Sequence, residues 1–412
     1  MHDTDLYHQI LGLSSPWEVQ NVELSPDDDC VLVYLGYPPD NQWHCPKCQQ
    51  SSPIYDHREP RRWRHLDSCQ FTTILIARLP RIQCGEHGVV TIEAPWSSPN
   101  SRFSNLFERQ AIEVLTACKV QSQAARLLRI SSDQVHHIME RSVLRGLARR
   151  DATAVHRHLS IDEKSFQKGH RYATVLSDPL RKCILDVGEG RDKESVTSLL
   201  KGSLTGKQRD QVESMSMDMW PAYMSCREEL FPQADTVHDR FHISGYLNNA
   251  VDLTRRAEQS LMVKASDKRL ARSKWLWLRA HDNLTPNQKT AFEMLRGLDF
   301  ETAKVWAFKE GFSQFFSCHT NYGAKTFFDN WYETAMFLNS PFLTKVAETL
   351  KRHLPGLLAY IKHHVTNATA EGFNSQIQLI KANARGYRKF ENFRIAILFF
   401  LGKLNLYPQE TR

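Results

Sequence analysis

Two short cysteine spacings are the first residues in this chain whose types dictate a chemistry. Cys45-Pro46-Lys47-Cys48 is a C-x2-C knuckle on a proline-punctuated turn, and Cys84-Gly85-Glu86-His87 is a C-x2-H knuckle on a second turn, with 35 residues between them. Zn²⁺ takes four soft or borderline ligands in a tetrahedron, and Cys45, Cys48, Cys84 and His87 supply them. No ligand position is left open, so the metal is structural. It provides folding energy that a small β-rich module has difficulty gaining from burial alone. His44 and His57 are weaker rivals for the fourth place. The other chemistry belongs to carboxylates. Leu159-Ser160-Ile161-Asp162 ends an apolar strand in an acid, and Ser216-Met217-Asp218 does so again just before Trp220-Pro221. Acids at the ends of adjacent strands converge on one spot, and hard divalent cations take oxygen ligands. Holding two such ions against phosphate wants a third carboxylate. Glu371 is the candidate, in a segment where Phe373, Ile377 and Ile380 form a helical stripe. A strand-end aspartate is also an ordinary cap or turn residue, and pattern alone leaves both readings open.

These groups need elements to hold them. Val19, Val22 and Leu24, then Asp27-Asp28-Asp29, then Val31, Val33 and Leu35 read as a β-hairpin, so residues 1–40 form an N-terminal β-hairpin region. Short β-like runs continue through a zinc-binding module at 41–95, where 35 residues between knuckles have room for two strands. Helical spacing takes over in 96–155, and β-runs return in 156–245 at Leu159–Ile161, Tyr172–Leu176, Lys182–Val187 and Val212–Met217. Residues 246–355 read as almost wholly helical and rich in aromatics, and 356–412 closes the chain with the helix that carries Glu371. The fold class is multidomain α+β.

Within 96–155, Ala124-Ala125, Leu128, Ile130, Ser131, Val135 and Ile138 fall in the order of a helix-turn-helix. Small alanines let two helices approach, Leu128 and Ile130 fill the corner, and Ser131 or Ser132 caps the second helix. That leaves Asp133, Gln134, His136 and His137 on the outer face, where a major-groove reader places base contacts, with Arg141 and later arginines tracking phosphates. An ordinary helical hairpin is the competing reading. Arg129 stands where a turn glycine is common. Arg61, Arg62 and Arg64 surround Trp63 between the zinc knuckles, which suits a phosphate backbone and equally a solvated strand.

Composition bounds the rest. A chain of 412 residues is too long for one ordinary domain, and 41% hydrophobic residues argue for real cores rather than disorder. The longest apolar run, Ile395–Leu401, is too short to span a bilayer, and the N-terminus does not read as a secretory signal. Nine cysteines, an odd number with four between 45 and 84 and the rest scattered singly, are not a disulfide scaffold, so a reducing, cytoplasmic setting is expected. A net charge of +7 permits an anionic partner without requiring one.

Taken together, these motifs resemble the ISL3-type insertion-sequence transposases. The likeness runs through nearly the whole chain: CPKC…CGEHGV, the run at 61–67, Pro95-Trp96, Ser101-Arg102-Phe103, the helix-turn-helix, LSIDEKSF at 159–166, SMDMWPAY at 216–223, VHDRFHI at 237–243 and TNATAEGFNSQ at 366–376. The resemblance implies an RNase H-like catalytic core with an acidic triad of Asp162, Asp218 and Glu371, interrupted by a long all-helical insertion. It implies two Mg²⁺ (or Mn²⁺) ions per site, with Asp239 and His242, a D-x2-H signature, as further active-site candidates. The implied partners are the terminal inverted repeats of an element, target DNA, and further copies of the chain. Thr366 departs mildly from the serine expected there. The stretch 240–279 is basic, with Arg255, Arg256 and Lys274 beside Trp275 and Trp277, and suits a surface lying along a DNA strand, with a solvated charged helix as the alternative. Lys381, Arg385 and Arg388 follow Glu371 and are expected near the scissile phosphate. Two rivals remain: a nuclease on the same fold that cuts without joining, and a DNA-binding regulator with an inactive core.

Overall fold

The computed structural model describes residues 2–167, 169, 171–238, 240–279, 283–364 and 368–409, without the side chains of residues 368, 370 and 371. They form two compact units, one of Met1–Arg150 with Leu404–Arg412 and one of Asp151–Lys403. The C-terminal tail thus belongs with the first unit rather than with the rest of 356–412.

The first unit opens with helix α1 (Asp3–Leu11), which the sequence reading did not anticipate. It stops at Gly12, whose φ of 59° is the left-handed value that favours glycine at a helix end. Nine strands follow: β1 (Glu18–Ser25), β2 (Cys30–Gly36), β3 (Trp43–His44), β4 (Ser51–Ser52), β5 (Ile54–His57), β6 (Arg61–Ser68), β7 (Phe71–Ala77), β8 (Pro80–Cys84) and β9 (Gly88–Thr91). The expected hairpin is β1–β2, paired from Glu18 with Gly36 to Ser25 with Cys30. It is not a separate region. β2 runs parallel to β7, so one sheet in the order β1-β2-β7-β6 joins residues 18–36 to residues 61–77. The interval between the knuckles accordingly holds five strands, not two, and its long β6–β7 hairpin completes the N-terminal sheet. Alternation along β2 sends Val31, Val33 and Leu35 into a core with Trp17, Trp43, Trp63, Trp96, Cys45 and Cys84. Its indoles meet edge to face, Trp17 with Trp96 at 4.9 Å and Trp63 with Trp96 at 5.4 Å between centroids.

Three helices complete this unit: α2 (Asn105–Cys118), α3 (Gln121–Leu128) and α4 (Ser132–Ala148). Ser104 caps α2 and Ser131 caps α4, the latter in a reciprocal box with Gln134. Glu108 of α2 is fully buried, and Arg141 and Arg145 of α4 both pair with it, at 3.3 and 2.5 Å. Arg145 also donates to the Leu406 carbonyl, and Gly146 lets the tail approach, since a Cβ there would sit 2.6 Å from Leu404 Cβ.

The second unit is built on a five-stranded sheet. β10 (His158–Gln167), β11 (Arg171–Asp178) and β12 (Cys183–Glu189) form an antiparallel meander. Helices α5 (Lys193–Ser203) and α6 (Gly206–Asp210) then lead to β13 (Ser214–Met217), and α7 (Pro221–Leu230) leads to β14 (Asp235–His238). β13 lies parallel to β10 and β14 parallel to β13, giving the order β12-β11-β10-β13-β14. Parallel neighbours need such helical crossovers, and the covered faces explain why Leu159, Ile161, Met215 and Met217 are all buried.

A helical run follows as expected: α8 (Arg240–Lys264), α9 (Lys274–Leu278), α10 (Pro286–Arg296), α11 (Glu301–Gly311), a 3-10 turn (Phe312–Ser317), α12 (Asn321–Leu338), α13 (Pro341–Arg352) and α14 (Leu354–His363). Its core is aromatic, around Trp277, Phe292, Trp306, Phe312, Phe315, Phe328 and Trp331. The closing segment is two helices, α15 (Ala368–Asn383) and α16 (Phe390–Leu401), and Phe373, Ile377 and Ile380 of α15 are buried as their spacing predicts. No helix among the described residues is long and apolar enough to cross a membrane.

Removing the buried Glu108 carboxylate leaves two guanidiniums without their partner. Glu108→Gln is expected to lower the unfolding free energy by about 3 kcal/mol, read as a lower urea midpoint of the full chain at unchanged slope.

Candidate active site and metal centre

The two knuckles meet. Cys48 Sγ lies 3.6 Å from Cys84 Sγ, and His87 Nδ1 lies 3.7 Å from Cys84 Sγ and 3.9 Å from Cys45 Sγ. All four ligand atoms fall within 4.8 Å of one another. A tetrahedron with Zn–S bonds of about 2.3 Å has edges of about 3.7 Å, so this set fits zinc in both chemistry and size. The turns prepare the sulfur: the backbone N–H of His87, then its ring, then the Glu86 N–H hold the Cys84 thiol pKa down to about 6. His44 and His57 lie outside this cluster, and the His57 ring instead meets the Tyr37 hydroxyl at 2.6 Å.

The helix-turn-helix elements stand in order. Ala124, Ala125, Leu128, Val135 and Ile138 are all buried. Arg129 has a φ of 52°, the left-handed turn conformation that glycine usually fills, and non-glycine residues there cost about 1 kcal/mol. Its guanidinium offsets this by donating to the Gln70 carbonyl at 2.6 Å and pairing with Asp67 at 3.6 Å. On the outer face His137 is exposed and His136 half-buried, while the Gln134 side chain is engaged in the Ser131 cap. Arg141 serves the Glu108 pair, so it is a packing residue rather than a free phosphate contact. Arg64 is likewise taken up, by Asp67, the His65 carbonyl and the Phe107 ring.

In the second unit, pairing sets the acids. β10 and β13 are in register with a constant offset of 56 residues, His158 opposite Ser214 and Ser160 opposite Ser216. Asp162 does not end its strand as the apolar run suggested, because β10 continues five residues further to Gln167 in its pairing with β11, whereas Asp218 directly follows β13. The two acids are 56 residues apart, so they continue the same register on neighbouring parallel strands, whose spacing is about 4.8 Å. Each is half-buried, and each accepts from the next residue's N–H through Oδ1, Glu163 at 2.8 Å and Met219 at 2.6 Å. Among the described residues neither has a Lys or Arg partner. His242 Nδ1 is 3.9 Å from Asp218 Oδ1, so the structure brings that histidine to Asp218. Asp239 lies outside the described residues. So does the Glu371 side chain, although its backbone is in the first turn of α15.

Sequence reasoning overlooked Asn374. Its amide donates to Asp162 Oδ2 across 212 residues of chain, and Lys381 donates to the Ser165 carbonyl at 2.9 Å, so α15 lies along β10. Positions 374 and 381 share one helical face, and that face includes position 371; only this spacing could have signalled Asn374. Beside Asp162, Arg191 pairs with Glu163 at 3.0 Å and lies over the rings of Tyr172 at 4.0 Å and Trp220 at 4.5 Å. Tyr223, buried under this cluster, has its pKa raised by burial, with Glu163 and Asp162 adding to it.

The remaining basic candidates divide. Arg255 is buried and bonded to Asp252 and Gln259, which removes it from any surface contact. Arg256 is exposed and pairs with the same Asp252, and Lys274 sits 3.9 Å from it. Arg385 and Arg388 are exposed, beyond the end of α15.

Behind Asp218, His238 is buried against His353, with ring centroids 5.1 Å apart, and Gly356 makes room for it: a Cβ there would lie 2.3 Å from the imidazole. Burial, and then His353, lower its pKa to about 4. The unfolded chain, with histidine near 6.5, binds the extra proton in between. This contribution to stability is therefore full above about pH 6.5 and lost as pH falls through 4, an effect of about 3 kcal/mol. The urea midpoint should drop across that window, and His238→Asn should make the drop shallower. In the zinc unit, Cys84→Ser or chelation by EDTA should remove one zinc per chain and loosen the tryptophan core, read as a red shift of indole emission.

Comparison with known proteins follows the same division of the chain. A family profile described as a transposase, of the ISL3 type, matches residues 159–397. A profile described as the zinc-finger of transposase IS204/IS1001/IS1096/IS1165 matches residues 41–87, and one described as the helix-turn-helix domain of transposase family ISL3 matches residues 92–143. The chain is 26% identical over 391 residues to the transposase for insertion sequence element IS1001 of Bordetella parapertussis, covering 94% of this chain and 96% of that one. It is 24% identical over 416 residues to the transposase for insertion sequence element IS1557 of Mycobacterium tuberculosis, covering 94% and 93%. With a transposase profile over more than half its length, and the zinc and helix-turn-helix profiles ahead of it in the same order as the folded elements, this chain belongs to the ISL3 family of insertion-sequence transposases.

Proposed function

We propose that the chain is a DNA transposase acting through an RNase H-like core in which Asp162, Asp218 and Glu371 hold two Mg²⁺ (or Mn²⁺) ions. The observation that carries this reading is the register of β10 and β13, whose continuation supports two carboxylates standing level on neighbouring strands, with no Lys or Arg partner among the described residues. The sheet order β12-β11-β10-β13-β14, with an antiparallel meander followed by two parallel strands, supports the RNase H-like assignment, and the run α8–α14 supports a helical insertion ahead of the third acid. The Asn374 contact to Asp162 supports Glu371 as that acid, since residue 371 is one turn, about 4.5 Å along the axis, before Asn374.

The donor set suits hard cations: half-exposed carboxylate oxygens, with one oxygen of each aspartate anchored by a backbone N–H and no Lys or Arg paired with either among the described residues. When bound, such ions supply charge stabilisation at the scissile phosphate and a water of lowered pKa. The chain's own residues do the positioning. Asn374 fixes the Asp162 carboxylate, and His242 stands beside Asp218 at a distance that favours orienting it. In the first step a water oxygen bonds to phosphorus as the P–O3′ bond breaks, which frees a 3′-OH at the element's end. In the second that 3′-OH attacks a target phosphate in line, displacing the target's own 3′ oxygen, with no covalent protein intermediate.

The zinc module and α4 recognise the terminal inverted repeats, with His136 and His137 of α4 nearest a groove edge. Two ends must be held together, so the working assembly on DNA is a homodimer or larger. The setting is the cytoplasm, on DNA. Asp162→Asn, Asp218→Asn and Glu371→Gln should each reduce end cleavage at least ~10³-fold while end binding in a mobility-shift assay stays within about twofold. Cleavage that survives all three would support the DNA-binding regulator instead. Nicked ends never joined to target DNA would support the nuclease.

A further inference from the structure

A cavity of about 900 Å³ opens in the N-terminal unit, walled by the start of β6, the end of β9 and the segment 97–102. Its lining carries Arg58, Arg61, Arg62 and Arg102 against Glu59 and Glu93. None of the four guanidiniums forms an ion pair among the described residues. Arg62 and Arg102 are exposed, while Arg61 lies over the buried Trp63 ring at 5.0 Å. Burial, and then the like charge of Arg102, lower the Arg61 pKa, which agrees with two cations sharing this wall.

The arrangement is fixed by backbone rather than by chance side-chain placement. The Arg64 N–H donates to the Arg102 carbonyl and the Ser104 N–H to the Arg64 carbonyl, both at 2.9 Å, so the 102–104 segment adds to β6 like a short parallel strand. Arg61 donates to the Ser101 carbonyl, which ties the opposite side of the same wall. Small-molecule sites are mostly apolar with only a few polar groups. This one has apolar side chains such as Trp63, Leu79, Ile92 and Ala94 in its lining but adds four arginines along the wall, and such a row of cations matches a polyanion.

We propose that this groove seats the phosphate backbone of double-stranded DNA, so that the N-terminal unit grips DNA at a second surface besides helix α4. The inference rests on the DNA-binding reading above. A phosphate seat adds affinity and salt dependence without sequence discrimination, because backbone contacts carry no base information.

The test is a salt titration of the full-length chain, from 50 to 200 mM NaCl (about the range over which such contacts are lost). Fluorescence anisotropy would follow a duplex taken from the DNA flanking its gene and a scrambled duplex of the same length. Arg62→Gln/Arg102→Gln should make the slope of log K against log salt shallower by about 1.8, two phosphates' worth, with the ratio of the two affinities unchanged. Zinc content and melting temperature should match the wild type. An unchanged slope overturns the proposal, and so does a changed ratio, which would mean base readout. Inorganic phosphate that binds the wild type but not the variant, with the slope unaltered, would make this a small-anion site and also overturn it. A wild-type chain that binds neither duplex at any salt would instead defeat the DNA-binding reading itself.

Discussion

Parallel pairing between β10 and β13 is the constraint on which the rest of the second unit depends. Two parallel strands point the same way along a sheet, and a shared register decides which of their residues stand level. Here the offset of 56 residues between the strands equals the separation of Asp162 and Asp218. A slip of one residue would turn one carboxylate to the opposite face and bury its charge against Leu159 or Met215. The pair is therefore maintained by the same apolar burial that holds the sheet together.

Two acids on neighbouring strands with no Lys or Arg partner among the described residues repel each other, and such pairs are found chiefly at functional sites. The neighbouring groups fit that account. Arg191 is kept on Glu163, the residue after Asp162, and over the rings of Tyr172 and Trp220. Asn374 approaches Asp162 as a neutral donor. The zinc cluster follows a contrasting logic. Its ligands come from two turns 35 residues apart, all four positions are filled, and its sulfurs lie in the tryptophan core, so the metal is part of that core.

Features written in short spacings were legible in the sequence. The knuckles, the helix-turn-helix corner and the stripe Phe373, Ile377 and Ile380 each depend on residues within a few turns of one another, and each stands as read. What needed long-range pairing was not legible. The parallel β2–β7 contact merges the expected hairpin region with the zinc module, and nothing local in residues 18–36 announces a partner at 71–77. The fate of the basic residues was also hidden. Arg141 and Arg255 have the composition of DNA contacts, yet buried Glu108 and Asp252 claim them, because a carboxylate inside a core must be paired. Arg129 shows the reverse: a residue that looked like a departure from the turn pattern takes the left-handed conformation and is held there by Gln70 and Asp67.

The claim that matters most is that three carboxylates from β10, the end of β13 and α15 jointly hold two divalent ions. Counting bound Mn²⁺ by electron paramagnetic resonance, on the full chain with a duplex of its own flanking DNA, addresses it directly. The account predicts about two tightly held ions per chain beyond those the DNA binds alone, and loss of at least one in Glu371→Gln. An unchanged count in that variant, or no bound ion in the wild type, would contradict it.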